Sequence, residues 1–132
     1  MAYMNQEMKA KIAARLKPIL KRYGVKGTLA VRNHSTIVLN IKAGRVDFLN
    51  DYTKGANPAI RADAEKFGID VNPYWYQEHF GGESYHFLRE AFNALKAADW
   101  YDESDAMTDY FNTAYYFRVN IGKWNKPYTL EN

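Results

Sequence analysis

Side chains capable of acid–base or metal chemistry lie close together near the middle of the chain: Glu78, His79, Glu83 and His86. Two imidazoles with a carboxylate can bind a metal ion, or act as an acid–base pair. Gly81 and Gly82 separate the two halves of the group and interrupt any helix that would hold all four at fixed spacing. We therefore favour a structural role, predict no enzymatic activity and no cofactor, and keep a small metal-dependent enzyme as an alternative.

Aromatic residues flank these histidines, and the chain is 16% aromatic with eleven tyrosines. Such rings usually pack the core of a small sheet, and tyrosine also suits the boundary between core and water. The alternative is a surface that stacks on bases or binds a peptide.

Five acids fall between Asp99 and Asp109, and oxygen ligands at short spacing are what calcium requires. The alternating ligands, central glycine and terminal glutamate of an EF-hand loop are missing, so we predict no metal site. We predict instead an acidic surface formed by Asp102, Glu103 and Asp105. It is either a solvated loop or a phosphate-like surface that competes for a nucleic-acid-binding partner.

Charge is distributed unevenly along the chain. Ten of the 18 Lys and Arg residues fall in the first 45 positions beside a single acid, which gives +9, while eight bases and fourteen acids give −6 in the remainder. Such a segment is typical of a cationic surface that binds phosphate or an acidic protein, and the alternative is solubility alone. The predicted contacts are Lys11, Arg15, Lys17, Lys21, Arg22 and Lys26.

The C-terminal segment Lys123 to Tyr128 interleaves basic and aromatic residues. This pattern suits stacking on nucleotides or insertion into a protein groove, and it predicts contacts from Trp124, Lys126 and Tyr128. The alternative is a tail that its aromatic rings hold against the core.

Length and composition predict one domain, residues 1–132. The chain has no cysteine, which excludes disulfides and thiolate metal sites and fits a reducing compartment. We see no signal peptide and no apolar run of about 20 residues, so we predict a cytoplasmic protein without membrane contact.

Apolar spacing and turn residues predict the elements that position these side chains. Asn5 is a plausible cap of the first helix, Pro18 should kink or break that helix near Lys17, and Gly24 should end it. The result is an α+β fold, an antiparallel sheet of about four strands with two main helices packed on one face. An exposed aromatic sheet face would favour a homodimer. The predicted elements are a helix from Asn5 to Tyr23, a hairpin from Thr28 to Lys42, a strand from Ile69 to Tyr76, a helix from Glu83 to Ala98 and a strand from Thr113 to Ile121.

Three segments resemble a family of small uncharacterised proteins of tailed bacteriophages: Lys17 to Gly44, Ile69 to Phe80 and Tyr115 to Tyr128. The chain is also similar, more distantly, to accessory modules of large polyvalent phage proteins. The resemblance implies expression in the cytoplasm of an infected host cell. We therefore expect a non-enzymatic accessory protein that binds and modulates or inhibits a host system, such as nucleic-acid-targeting defence. Its partner would be a host protein or a protein–nucleic acid complex, and the alternative is a nucleic-acid-binding module that uses the basic N-terminal helix.

Overall fold

A computed structural model describes residues 2–52, 59, 62, 66–71, 73–74, 76–102, 113–123, 126 and 128–131, except the side chains of 49 and 50. Four helices and five strands have both ends within these ranges, and residues 59, 62, 66 and 67 are also helical. The helices are α1 (Gln6–Tyr23), α2 (Phe48–Asp51), α3 (Tyr76–His79) and α4 (Gly82–Leu95). The strands are β1 (Val25–Arg32), β2 (Thr36–Gly44), β3 (Ile69–Val71), β4 (Tyr116–Ile121) and β5 (Thr129–Leu130).

Helix α1 begins and ends where its capping residues predict. The Asn5 side chain accepts a hydrogen bond from the Met8 amide at 2.8 Å, which satisfies one of the free N–H groups of the first turn. Gly24 ends the helix with φ of 66°, a left-handed conformation that glycine adopts without steric cost. Of the two effects predicted for Pro18, a kink or a break near Lys17, the break does not occur, because α1 continues through Pro18 to Tyr23.

The predicted hairpin is confirmed. Asn33 and His34 both have positive φ, as the two central residues of a type I′ turn require. The Ser35 amide donates to the Arg32 carbonyl at 3.1 Å, which closes the turn. This geometry matches the right-handed twist of the strands and allows β1 and β2 to pair along their length.

The sheet is mixed, which corrects the prediction of a purely antiparallel one. Its order is β1-β2-β4-β3, with β5 pairing to the end of β2. Strands β1 and β2, and β3 and β4, are antiparallel, but β2 and β4 are parallel, with Leu39 opposite Val119. The chain between β2 and β4, including α4, provides the long crossover that a parallel pair requires.

One face of the sheet is buried under α1 and α4, as predicted. Ile37, Leu39 and Val119 point to this side and belong to one core cluster with Ile12 of α1 and Leu88 of α4. Strand β3 lies at the sheet edge, and it ends at Val71 rather than at the predicted Tyr76.

Side chains from elsewhere in the chain hold both ends of α4. At its first turn the Asp51 carboxylate accepts a hydrogen bond from the Ser84 hydroxyl at 2.7 Å. At its last turn the buried Tyr115 hydroxyl donates to the Leu95 carbonyl at 2.5 Å. Burial raises the pKa of Tyr115 to about 12, because the phenolate would lose its hydration. The first contact ties α4 to the end of α2, and the second ties it to the residue that precedes β4.

No helix in the described part of the chain is sufficiently long and apolar to cross a membrane.

Candidate functional site

The face of the sheet opposite the helices is mainly polar, although it includes Val38, which is buried. Because side chains alternate along a strand, the residues that follow and precede the core positions Ile37, Leu39 and Val119 point to this other side. Cross-strand pairing places Thr28 beside Asn40, and Asn40 beside Asn120, whose side-chain amide donates to the Asn40 side-chain oxygen at 3.3 Å. We call this surface the polar face.

A cationic depression of about 470 Å³ lies on the polar face. No acidic residue of the described part of the chain lines it, and four basic residues do. None of the four forms an ion pair with a described carboxylate. The remaining lining includes neutral hydrogen-bonding side chains, among them Thr28, Asn40 and Thr129. The four basic residues are Arg32, Lys42, Lys123 and Lys126.

Two local irregularities bring these cations together. The pairing of β1 with β2 shifts between Lys26 and Gly27, whose partners are Ala43 and Ile41. Lys42 is therefore the extra residue of a β-bulge, a feature that commonly redirects a side chain near a functional site. Beyond β4, the backbones of Lys123 and Lys126 exchange two hydrogen bonds of 2.9 and 3.0 Å, which closes a tight turn beside the bulge.

Tyr128 anchors that turn from the core side. Its hydroxyl donates to the Val46 carbonyl at 2.7 Å, and its ring packs edge-on against Phe48. Only 7% of the residue is exposed, and burial raises the pKa of its phenol. The structure therefore places Tyr128 in the core rather than on a surface, as in the alternative of a tail that its rings hold against the core.

A second depression of about 260 Å³ continues from the first, because Gly122 and Lys123 line both. Phe67 forms its other side with 51% of its surface exposed. Asp70 also lines it, and the Asp70 carboxylate pairs with the Arg118 guanidinium at 2.6 Å. The polar face thus carries four cations without a described carboxylate partner, and an exposed aromatic ring lines the adjoining depression.

Gly68 sets the distance between Phe67 and the turn. It has φ of 81°, and a Cβ atom placed on it would lie 2.8 Å from the Gly122 carbonyl carbon and 2.9 Å from the Lys123 amide nitrogen. Only glycine permits both the conformation and this backbone contact. Because Gly68 has no side chain, the backbone next to Phe67 can approach Gly122 and Lys123 this closely.

The predicted basic surface does not lie on the polar face. Lys11, Arg15, Lys17 and Lys21 are exposed on α1, on the helical side of the sheet. Arg15 lines a groove of about 510 Å³ between α1 and α4. The structure therefore separates the cations of the first 45 residues into two groups.

Two members of the predicted surface are neutralised by acids from later in the chain. Arg22 pairs with Glu90 at 2.6 Å, and Lys26 pairs with Glu131 at 3.1 Å. Glu90 also accepts a hydrogen bond from Tyr23, and this bond, more than the ion pair, holds the pKa of the carboxyl below its usual value. The same bond raises the pKa of the Tyr23 phenol.

Of the predicted acidic surface, Asp102 is exposed and accepts a hydrogen bond from the Thr113 hydroxyl at 3.2 Å. Glu103 and Asp105 lie outside the described residues, as does Trp124 of the predicted tail contacts. Lys126 is described and belongs to the cationic depression.

The histidines are not gathered into a site. His79 ends α3 and contacts the Tyr52 ring edge-on, whereas His86 is exposed on α4 next to Tyr85. In the described ranges no three His, Asp or Glu side chains are arranged to hold a metal ion. Much of the aromatic segment packs internally, for example Tyr76 against Phe92.

The sequence did not predict that Phe67 belongs to a site, or that Lys42 and Lys123 lie close together. Arg32 and Lys42 are visible in the sequence as neighbours of the basic helix, and Lys123 as part of the basic and aromatic tail. The signal that could have joined them is the alternation within β2, which places Lys42 on the side opposite Ile41.

No protein-family model matches the chain, and neither a curated protein nor a solved structure shows significant similarity to it.

Proposed function

We propose that this protein is a nucleic-acid-binding module whose interface is the polar face of the sheet. The observation that carries the proposal is the depression lined by Arg32, Lys42, Lys123 and Lys126, since none of these cations forms an ion pair with a described carboxylate. Unpaired Lys and Arg side chains grouped on one face are the electrostatic footprint of phosphate binding. The sequence-based alternative was a nucleic-acid-binding module that uses the basic N-terminal helix. We propose the polar face as the interface in place of that helix.

The shape of the surface favours a polymer over a small phosphorylated molecule. Small-molecule sites are enclosed and mostly apolar, whereas here two half-open depressions, the first lined by four cations, share Gly122 and Lys123. A chain of phosphates can contact several of the cations in turn. Thr28 and Asn40 add neutral hydrogen-bonding groups between them, and such groups contact phosphate, sugar or base edges.

The test compares two variants of equal charge. One replaces the four cations of the polar face by glutamine (R32Q, K42Q, K123Q and K126Q), and the other replaces four exposed cations of α1 (K11Q, R15Q, K17Q and K21Q). Fluorescence anisotropy with labelled DNA and RNA oligonucleotides at low ionic strength measures the binding. We expect the first variant to lose nearly all affinity and the second to keep most of it.

Two results would contradict the proposal: no binding by the unmodified protein at low salt, or equal losses in the two variants. Equal losses would mean that net charge alone governs the interaction. Circular dichroism of both variants checks that the fold is retained.

The resemblance to proteins of tailed bacteriophages implies a phage context and a host target. Both remain predictions. A protein that binds nucleic acid through its sheet is compatible with the modulation of a host system that acts on nucleic acid. Affinity purification from infected cells with and without nuclease treatment tests that role, because a partner held only through nucleic acid is lost after the treatment.

A further inference from the structure

The geometry points to an aromatic base-binding position at Phe67, which would make the preferred ligand a single strand with unpaired bases rather than a duplex. This inference rests on the proposed function and specifies its ligand. It starts from the continuity of the two depressions through Gly122 and Lys123.

Phe67 occupies the place that the base of a bound strand would reach. A phosphate held by Lys123 lies between the two depressions, because Lys123 lines both, and Phe67 lines the second one. The close backbone contact of Gly68 with Gly122 keeps the ring next to this lysine. A nucleotide whose phosphate binds Lys123 therefore has an aromatic surface beside it.

The electrostatics of the ring also suit a base. The Lys66 ammonium lies over one face of the Phe67 ring, 5.2 Å from its centroid, so a base would stack on the other face or displace this ammonium. Single-strand-binding proteins combine a positive groove with aromatic side chains on which bases stack, and stacking requires no particular sequence. The only described acid of this depression, Asp70, is engaged by Arg118 and adds less repulsion than a free carboxylate would.

A duplex cannot use Phe67 in this way. Its bases are already stacked on their neighbours, and exposing one base face costs unstacking energy. Phosphate contacts alone would not distinguish the two forms, since both carry them. A preference for single strands is therefore the property that depends on the ring rather than on the cations.

The test measures the affinity of the full chain for a single-stranded oligonucleotide and for the duplex of the same sequence. The variants are Phe67→Leu, which keeps an apolar side chain but removes the ring, and Phe67→Trp, which keeps an aromatic surface. Tyr3→Leu is the matched control, because Tyr3 is 56% exposed and lies outside both depressions. An oligonucleotide containing 2-aminopurine reports stacking through the quenching of its fluorescence.

We expect the unmodified protein to prefer the single strand and to quench 2-aminopurine. Phe67→Leu should weaken single-strand binding roughly 5- to 100-fold, which corresponds to the loss of one base–aromatic stack. It should abolish the quenching of 2-aminopurine and leave duplex binding unchanged. Phe67→Trp and Tyr3→Leu should retain both single-strand binding and quenching.

The inference is overturned if the unmodified protein binds both forms equally, or if Phe67→Leu binds and quenches like the unmodified protein. In either case binding persists and the proposed function stands. If no nucleic acid binds at low salt, the proposed function and this inference fall together.

Discussion

The salt dependence of binding follows from the number of unpaired cations on the polar face. Each phosphate neutralised on a single strand releases condensed counterions, which contributes a slope of about −0.7 to the logarithm of the affinity against the logarithm of the salt concentration. Because four unpaired cations line the depression, full engagement gives a slope of about −2.8. Raising the salt from about 50 to about 200 mM should then weaken binding about 50-fold.

Each substitution of one of these four cations should reduce the magnitude of the slope. Lys123→Gln should reduce its magnitude by about 0.7, and replacement of all four cations should make it nearly flat. Lys17→Gln on α1 is the matched control and should leave it unchanged, because Lys17 is exposed on the helical side of the sheet. Anisotropy titrations over a series of KCl concentrations give the slopes. A slope that responds to Lys17→Gln as strongly as to Lys123→Gln would refute the assignment of the interface.

Three further predictions concern stability. Gly68→Ala should destabilise the fold by about 1–3 kcal/mol, since it strains a positive φ and forces a Cβ against Gly122; an unchanged urea midpoint would contradict this. Tyr115→Phe removes a buried hydrogen bond to Leu95 and should cost about 1–3 kcal/mol near neutral pH. Because the pKa of Tyr115 is raised to about 12, its neutral form stabilises the fold fully below about pH 10 and less as pH rises to 12, so thermal unfolding should depend less on alkaline pH in the variant. Asp51→Ala should lower stability by about 1 kcal/mol by freeing the first turn of α4, and an unaltered melting temperature would argue against that role.

The elements predicted best are those whose signals are local. Helix α1 carries its periodicity, its Asn5 cap and its Gly24 terminator within one short segment, and all three are present in the structure. The turn at Asn33 and His34 is equally local. Pro18 does not break the helix, the stronger of its two predicted effects, because one missing backbone bond does not outweigh the burial of Ile12 and Leu16 on the same helix.

The parallel pairing of β2 with β4 could not be predicted from either strand alone. Ile37 and Phe117 are partners across the sheet, but nothing in their own segments distinguishes a parallel from an antiparallel neighbour. The orientation depends on α4, which crosses the sheet and packs against α1, and on Tyr115, which ties the end of α4 to the start of β4. These are contacts between distant parts of the chain.

The candidate site depends on that same pairing, which explains why sequence reasoning placed the cationic surface elsewhere. Because β4 lies parallel to β2, the turn that follows β4 lies beside the bulge at Lys42, and Lys123 joins cations from the first hairpin.

Folding balances part of the uneven charge of the sequence, because two acids from later in the chain pair with cations of the basic segment. Glu90 on α4 meets Arg22, and Glu131 after β5 meets Lys26, so these cations have carboxylates beside them. Exposed pairs of this kind contribute little to stability, but each one reduces the local positive potential. The four cations of the depression have no described carboxylate partner, and they come from both the basic and the acidic part of the sequence. Exposed cations of α1 such as Lys17 have no described ion pair either, so the polar face is distinguished by the convergence of its four cations on one depression. A cationic interface is therefore identified here by which charges folding brings together, rather than by where basic residues are most frequent.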